Sequence, residues 1–331
     1  MMFDLQYFAG LDTTGSAGMT AEMKTYYEKR LIDQAQPKLV HDQFGDFYPI
    51  PQHGGKTIEF RRFDSLPKAT KPLTEGVTPA GQNLNVTTVT ANLAQYGGWT
   101  PESDLLSMTA IDNTILNATK VLASQAGRTM DTVTRDVLCG GTNVIYAPKL
   151  GAGGAETEVN SRKELADGCT LTPKLFFRAA AQLSAMNADT IGDSYVAIIH
   201  PYAAYDLKNN KDFLEISKYA HPENIYNGEI GKLGNVRFVE SSEAKIWKDS
   251  SCPSGKAVFC TLVLGAHAYG VTELEGGGLE HIVKQLGYGD DPLNQRASIG
   301  WKGLKAAERL VEQYMVRIES LSSYSATAQA N

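Results

Sequence analysis

The sequence is short of the patterns that mark most chemistries. Only four cysteines occur in 331 residues, Cys139, Cys169, Cys252 and Cys260, and no two form a C-x-x-C pair. That removes the main support for a zinc ribbon or a thioredoxin-like motif, and predicts free, buried thiols in a reducing cytoplasm. No apolar run reaches the ~18 residues of a membrane-spanning helix, so none is expected. The stretch Met1-Met2-Phe3-Asp4-Leu5 lacks a basic region followed by a long apolar one, so no signal peptide is expected. A basic excess is missing too: 31 Lys and Arg against 37 Asp and Glu leave a formal net charge of −6. A dedicated nucleic-acid binder usually carries a basic face, so that class loses support.

Catalytic and ligand-binding signatures are equally scarce. The six histidines, at positions 41, 53, 200, 221, 267 and 281, show no metal-binding helical spacing, and Glu280-His281 lacks the second His of H-E-x-x-H. No G-x-S-x-G elbow is present. Gly54-Gly55-Lys56-Thr57 resembles the end of a phosphate-binding loop, but the position requiring the first Gly is Ile50, and Pro49 and Pro51 break the strand that should precede it. A turn leading into a strand is the better reading. The Gly-rich residues 151–154 lack dinucleotide-fingerprint spacing and read as a flexible turn. His200-Pro201 reads as the terminus of a buried strand. Asp290-Asp291, beside Gly287 and Gly289, reads as a polar turn rather than catalytic acids, and Glu273 and Glu275 carry no catalytic pattern. No enzyme activity, cofactor or metal is expected.

What is present is architectural. Residues 1–19 read as a mobile arm. Thr20, Met23, Tyr27, Leu31 and Ala35 then lay out an amphipathic helix that Pro37 stops. The strongest helix runs over about 112–139, where Ile111, Ile115, Ala118, Leu122, Ala126, Met130, Val133 and Val137 recur every three or four residues. Gly140-Gly141 supplies the residue type that tolerates a left-handed cap. At ~1.5 Å per residue this rod is roughly 40 Å long. Lys120, Gln125, Arg128, Asp131 and Arg135 should mark its solvated or partner-facing side. Beyond residue 170 the pattern alternates α and β: a helix from Thr172-Pro173, then apolar runs at 195–199, 236–239, 258–264 and 279–283 that read as strands. Residues 310–320 favour a strand with Tyr314, Val316 and Ile318 on one side and Gln313, Arg317 and Glu319 on the other. Residues 296–309 read ambiguously, and 322–331 as a frayed tail.

The most unusual stretch is 54–96. Thr57-Ile58-Glu59-Phe60-Arg61-Arg62-Phe63 and a β-branched run at 86–93 read as two strands. Between them lie residues 64–85, punctuated by Pro67, Pro72, Gly76, Pro79 and Gly81. A loop of that length inside a compact domain is usually functional or disordered, and an isolated two-stranded ribbon is marginal in water. A neighbouring subunit is the natural support. The stretch is basic: Lys56, Arg61, Arg62, Lys68 and Lys71 oppose only Glu59, Asp64 and Glu75. Exposed ion pairs are each worth ~0–1 kcal/mol, but repetition around a closed assembly adds them up. Lys56, Arg61, Arg62, Lys68, Lys71 and Glu75 are therefore the candidate intersubunit contacts.

Arm, extended loop, spine helix, α/β block and returning strand together resemble the major capsid proteins of tailed bacteriophages, which share the α+β Hong Kong 97-type capsid fold. Local motifs are similar to the branch typified by the phage N-four major coat protein: Pro37-Lys38-Leu39-Val40-His41-Asp42-Gln43-Phe44-Gly45, Gly55-Lys56-Thr57-Ile58-Glu59-Phe60-Arg61-Arg62, Pro72-Leu73-Thr74-Glu75-Gly76-Val77-Thr78-Pro79 and Thr132-Val133-Thr134-Arg135-Asp136-Val137-Leu138. The resemblance implies an N-terminal arm and helix (1–45), an extended loop (46–100) and a peripheral domain (101–170 and 287–325) with its spine helix at 110–140. It further implies an axial domain (171–286), and a final strand that rejoins the peripheral domain. It implies hexamers and pentamers of an icosahedral virion shell, assembled in the host cytoplasm and enclosing double-stranded DNA without sequence-specific binding. A portal protein, a scaffolding protein and in some relatives a decoration protein are the implied partners; no membrane is. The acidic balance does not oppose this, because strong phosphate contacts would tether a packed polymer. Some relatives crosslink a loop lysine to a neighbour's asparagine, but nothing selects Lys68 or Lys71 for that. Two alternatives stay open: an encapsulin-type nanocompartment shell, and a soluble α/β enzyme with its site in 171–286.

Overall fold

Local sequence periods set the elements. The computed structural model describes residues 40–51, 55–105, 114–151, 155–210, 213, 231–272, 278–284 and 286–331. The expected arm at 1–19 and the helix before Pro37 lie outside them. The first part of the chain supplies β1 (Asp46–Phe47), β2 (Thr57–Phe63), β3 (Val86–Asn92), β4 (Ala94–Ser103) and the helix α1 (Thr114–Cys139). Then come β5 (Val144–Tyr146), β6 (Lys149–Leu150), β7 (Glu156–Thr157), α2 (Pro173–Ala185), β8 (Tyr195–Ile199) and α3 (Pro201–Asn209). The remainder is β-rich: β9 (Lys232–Leu233), β10 (Val236–Glu240), β11 (Ile246–Trp247), β12 (Val258–Leu264), β13 (Tyr269–Thr272), β14 (Glu280–Lys284), β15 (Arg296–Arg309) and β16 (Met315–Ser320).

Two sheets organise these elements. A seven-stranded sheet has the order β5-β16-β12-β8-β10-β9, with β11 on β12. Its central strands are apolar and buried on both faces, and β8 pairs directly and in parallel with β10, α3 lying between them in the chain. Leu175, Phe176, Ala179 and Leu183 of α2 pack on this sheet to form the largest core. The five-stranded sheet has the order β1-β13-β15-β14, with β4 along β15 over ten residue pairs. On this sheet lies α1, placing Leu122, Ala123, Ala126 and Met130 against Ile299 and Trp301. A third cluster, containing Leu138, Cys139, Cys260, Leu262 and Tyr269, joins the C-terminal turn of α1 to both sheets. Residues 296–309, ambiguous in sequence, are thus one long strand shared by β4, β13 and β14.

Several expectations need correction. Asp131 and Arg135 do not face solvent: both are buried. Asp131 Oδ1 accepts the backbone N–H groups of Val40 and His41 at 2.8 Å each, and its Oδ2 lies 2.6 Å from His41 Nδ1. Burial alone would raise the Asp131 carboxyl, but these contacts from His41 and Val40 hold it below the usual range. Next to it, Asp42 accepts from Thr134 Oγ1 at 2.6 Å and pairs with the buried Lys305 ammonium. Tyr269 donates to the His41 carbonyl, and its ring packs so close to Gly45 that a Cβ there would overlap it. The Val40–Gly45 part of the motif found by resemblance is therefore a clasp on the spine helix. Arg135 donates to the Glu243 carbonyl at 2.7 Å and to Asp136.

The end of α1 differs too: neither Gly140 nor Gly141 has a positive φ, and their N–H groups bond back to Val137 and Leu138. Strand β16 lies inside the seven-stranded sheet, between β12 and β5, so Glu319 on its expected polar side is fully buried. Residues 322–331 are docked rather than frayed. Ser322 Oγ donates to the Tyr202 carbonyl at 2.7 Å, Tyr324 packs on Tyr202 and Tyr205, and the Asn331 side chain bonds Ile246 and Ala244.

His200 ends β8 as expected and also caps α3, accepting the Tyr202 N–H on Nδ1 at 3.1 Å. Burial pushes its imidazole down from 6.5 to about 4. The unfolded chain therefore takes up the proton first, so the stability this group contributes is complete above pH 6.5 and is lost as pH falls toward 4. His200→Asn keeps a capping acceptor and removes the titration. Relative to it, the parent should lose about 1–2 kcal/mol across that window, after discounting for solvent at the ring edge. Urea titrations of both chains at pH 7 and 4.5 check this; parallel pH profiles would sink it.

Candidate assembly surface

Among the described residues, the ribbon β2–β3 is the element left least covered by the rest of the chain. Its register runs from Thr57↔Asn92 to Phe63↔Val86, as the β-branched and aromatic residues prescribe. The base is anchored: Ile58 and Phe60 pack with Ile50, Ala91, Leu93 and Ala306, and Tyr48 meets Phe60 edge-on at 5.0 Å. The outer end is held by polar contacts, with Asp64 N–H on the Asn85 carbonyl at 3.0 Å and Thr87 Oγ1 on the Asp64 carboxylate. Beyond it, residues 64–85 contain no helix or strand and are almost all exposed.

The candidate contact residues fall in two groups. Arg61 and Arg62 lie on β2 and pair within the ribbon, at 3.5 Å from Glu59 and from Asp64. Both pairs are exposed and therefore weak. Lys56, Lys68, Lys71 and Glu75 are also exposed. The structure does not gather these six into one pocket; it strings them along an extended arm.

Charge is not the arm's most unusual property. Phe63, Leu66, Leu73, Val77, Leu84 and Val86 are between 46% and 76% exposed. Single exposed apolar side chains are ordinary on a protein surface, but six on one segment are not. In sequence the charges are the loop's more visible feature, yet four of these apolar residues, Leu66, Leu73, Val77 and Leu84, interrupt its Pro- and Gly-punctuated stretch.

Two further cavities lie among the described residues. An open cavity of about 420 Å³ is lined by Gly97, Trp99, Ile282, Lys284 and Gly300, and another of about 190 Å³ by Tyr146, Glu158, Asn160 and Arg178. Neither contains a histidine, a cysteine or paired carboxylates. Among the described residues, no group of three or more His, Cys, Asp or Glu is placed to hold a metal, and no helix is long and apolar enough to cross a membrane. The turn at 287–294 is structural: Asp291 accepts the Arg296 N–H at 2.7 Å.

No protein-family model and no curated protein matches the chain. Solved structures do match. A chain from the capsid of Ralstonia phage GP4 superposes with a TM-score of 0.62 at 14% identity, covering 86% of this chain and 88% of that one. The capsid of cyanophage P-SCSP1u gives 0.62 at 14% identity, covering 95% and 93%. The capsid of cyanophage Pam1 gives 0.61 at 11% identity, covering 94% and 96%. Agreement over nearly the whole of both chains at such low identity reflects shared architecture: this chain has the Hong Kong 97-type fold of tailed-phage major capsid proteins.

Proposed function

We propose that this chain is the major capsid protein of a tailed bacteriophage, closing through hexamers and pentamers into an icosahedral shell around double-stranded DNA. The observation that carries this reading is the exposed arm at 57–92, an element with a folded base whose apolar outer half is left uncovered by the other described residues, on a fold whose solved examples include phage capsids. In this reading the arm lies on a second copy of the chain, with Lys56, Arg61, Arg62, Lys68, Lys71 and Glu75 steering it and the apolar side chains supplying contact area. The subunit has a structural rather than an enzymatic role and needs no cofactor. Portal and scaffolding proteins, and in some heads a decoration protein, are its partners. It assembles in the host cytoplasm and resides in the virion.

The proposed division of the chain follows from the same reading: 1–45 as arm and helix, 46–100 as extended loop, 101–170 with 287–325 as peripheral domain, and 171–286 as axial domain. Sheet membership refines it. The helix-backed five-stranded sheet also takes β13 and β14, while β5 and β16 complete the seven-stranded sheet.

Electron microscopy of the purified chain tests the proposal, with closed shells of uniform diameter as the expected result. A monomer that turns over a substrate would overturn it. Loading of a tagged cargo protein by shells of this chain alone would move the assignment to a nanocompartment. Replacing Arg61 and Arg62 together with Ala should leave the monomer within about 1 kcal/mol of the parent, since both pairs are exposed. Shell yield should fall severalfold, most at low salt, where steering is strongest. Unchanged yield and salt dependence would remove the steering role of these two residues.

A further inference from the structure

Of the four cysteines, two are placed against each other. Cys139 is the last residue of α1, and Cys260 lies in the middle of β12, with Sγ atoms 3.5 Å apart across 121 residues of chain. Both are free and buried, at 6% and 1% exposure, in the cluster that joins the spine helix to the seven-stranded sheet. Cys169 and Cys252 have no such partner among the described residues; the Cys169 sulfur accepts the Ala166 N–H, and Cys252 lies against Asp249. Buried cysteines commonly serve as small apolar fillers. Two thiols in contact, on elements distant in sequence, can do more: from 3.5 Å, closing to a bond needs the sulfurs to approach by about 1.5 Å.

We propose that Cys139 and Cys260 are a latent disulfide site, a dithiol in the reduced chain that small disulfide oxidants convert to a covalent staple between α1 and β12. The order of events follows from burial. Burial pushes the Cys260 thiol well up, the adjacent Cys139 adds to this, and Arg317 works against it, so Cys260 stays protonated while the site is closed. Cys139 is the less buried and sits on a helix terminus, where local opening is least costly. Its thiolate attacks a low-molecular-weight disulfide such as oxidised glutathione, forming a mixed disulfide and releasing one glutathione thiolate. The Cys260 thiolate then attacks the Cys139 sulfur, the Cys139–Cys260 bond forms, and the second glutathione leaves. Two protein thiols are oxidised, one glutathione disulfide is reduced, and the two protein protons end on the two glutathione thiols. The staple would fix the junction at which the spine helix meets the central sheet. That chemistry is independent of the shell reading. Only its timing rests on it, since a virion leaves a reducing cytoplasm for oxidising surroundings.

The test uses the full-length chain purified under reducing conditions, unassembled and as particles, exposed to oxidised glutathione and then alkylated in denaturant. The expected result is loss of two of the four thiols, a mass lower by about two hydrogens before alkylation and two fewer alkyl groups after it, and a dithiothreitol-sensitive peptide joining positions 139 and 260. The unfolding midpoint should rise by several degrees and return on reduction. Cys139→Ser should retain its other three thiols unlinked, and Cys260→Ala should stop at the mixed disulfide on Cys139. If either variant fails to fold, peptide mapping of the parent still decides. Four intact thiols after prolonged exposure, or a link through Cys169 or Cys252, would overturn the proposal. Failure to form particles in the same experiment would count against the shell reading alone.

Discussion

Excising residues 64–85 and joining Phe63 to Val86 through Asn-Gly leaves a subunit that folds and no longer closes shells. The join is geometrically available because Phe63 and Val86 are the final register pair of an antiparallel ribbon, the spacing that a two-residue hairpin turn spans. Folding should tolerate it. The excised residues bury almost nothing against the other described residues, and shortening a flexible connection tenfold lowers its closure cost by about 2 kcal/mol. Assembly should not tolerate it. Fully burying one Leu or Val side chain is worth ~1.5–3 kcal/mol, so Leu66, Leu73, Val77 and Leu84 together supply several kcal/mol at each contact even when half covered. Exposed charges at Arg61 and Arg62 supply at most ~1 kcal/mol each. The apolar groups therefore decide whether contacts hold, while the charges decide how quickly and in what orientation they form. Circular dichroism should show an unchanged fold, and microscopy a fall in closed particles of at least ~100-fold, as the loss of ~3 kcal/mol per contact implies. Normal particles from the excised chain would refute the arm as the assembling element.

This division of labour also explains what could be read from sequence. The strands at 57–63 and 86–92 and the helix ending at Cys139 follow from local periods, and their bounds were legible almost to the residue. Asp131 and Arg135 were not. A polar residue at helical spacing reads as solvated unless its partners are known, and theirs lie 90 and 108 positions away, at His41 and Glu243. Strand β15 was obscured for a related reason. Gly300 and Gly303 weaken its strand pattern, and Lys305, whose charge marks a wet face in sequence, is buried on Asp42. The arm was legible as a length anomaly and as a charge pattern. Its apolar character needed the structure, because Leu and Val in a loop look ordinary until no other described residue is found to cover them.

The largest effect on the subunit itself is expected at Glu319, where the same blindness to distant partners hid a buried ion cluster. Arg162 approaches its carboxylate through Nε and Nη2 at 2.6 and 2.7 Å, and Arg317 Nε lies 2.9 Å from Oε1. Both guanidinium groups also flank the Trp247 ring, Arg162 at 3.8 Å from its centroid. Burial disfavours the Arg162 charge, and the Glu319 carboxylate outweighs it, holding the guanidinium above its ordinary value. Glu319→Ala therefore leaves two largely buried cations facing each other with no anion between them. Removing one member of a buried pair costs about 3–5 kcal/mol, chiefly through the desolvated charges left behind. Glu319→Gln, which keeps the volume and one acceptor oxygen, should cost about half as much. Arg162→Ala leaves Glu319 with Arg317 and should fall between the parent and Glu319→Ala, and the Arg162→Ala, Glu319→Ala double variant should cost less than the sum of the two. Urea titration of the unassembled chains reads all four. A loss below ~1 kcal/mol for Glu319→Ala would show that water reaches the cluster and that β16 is not held by it, since exposed pairs fall in that range.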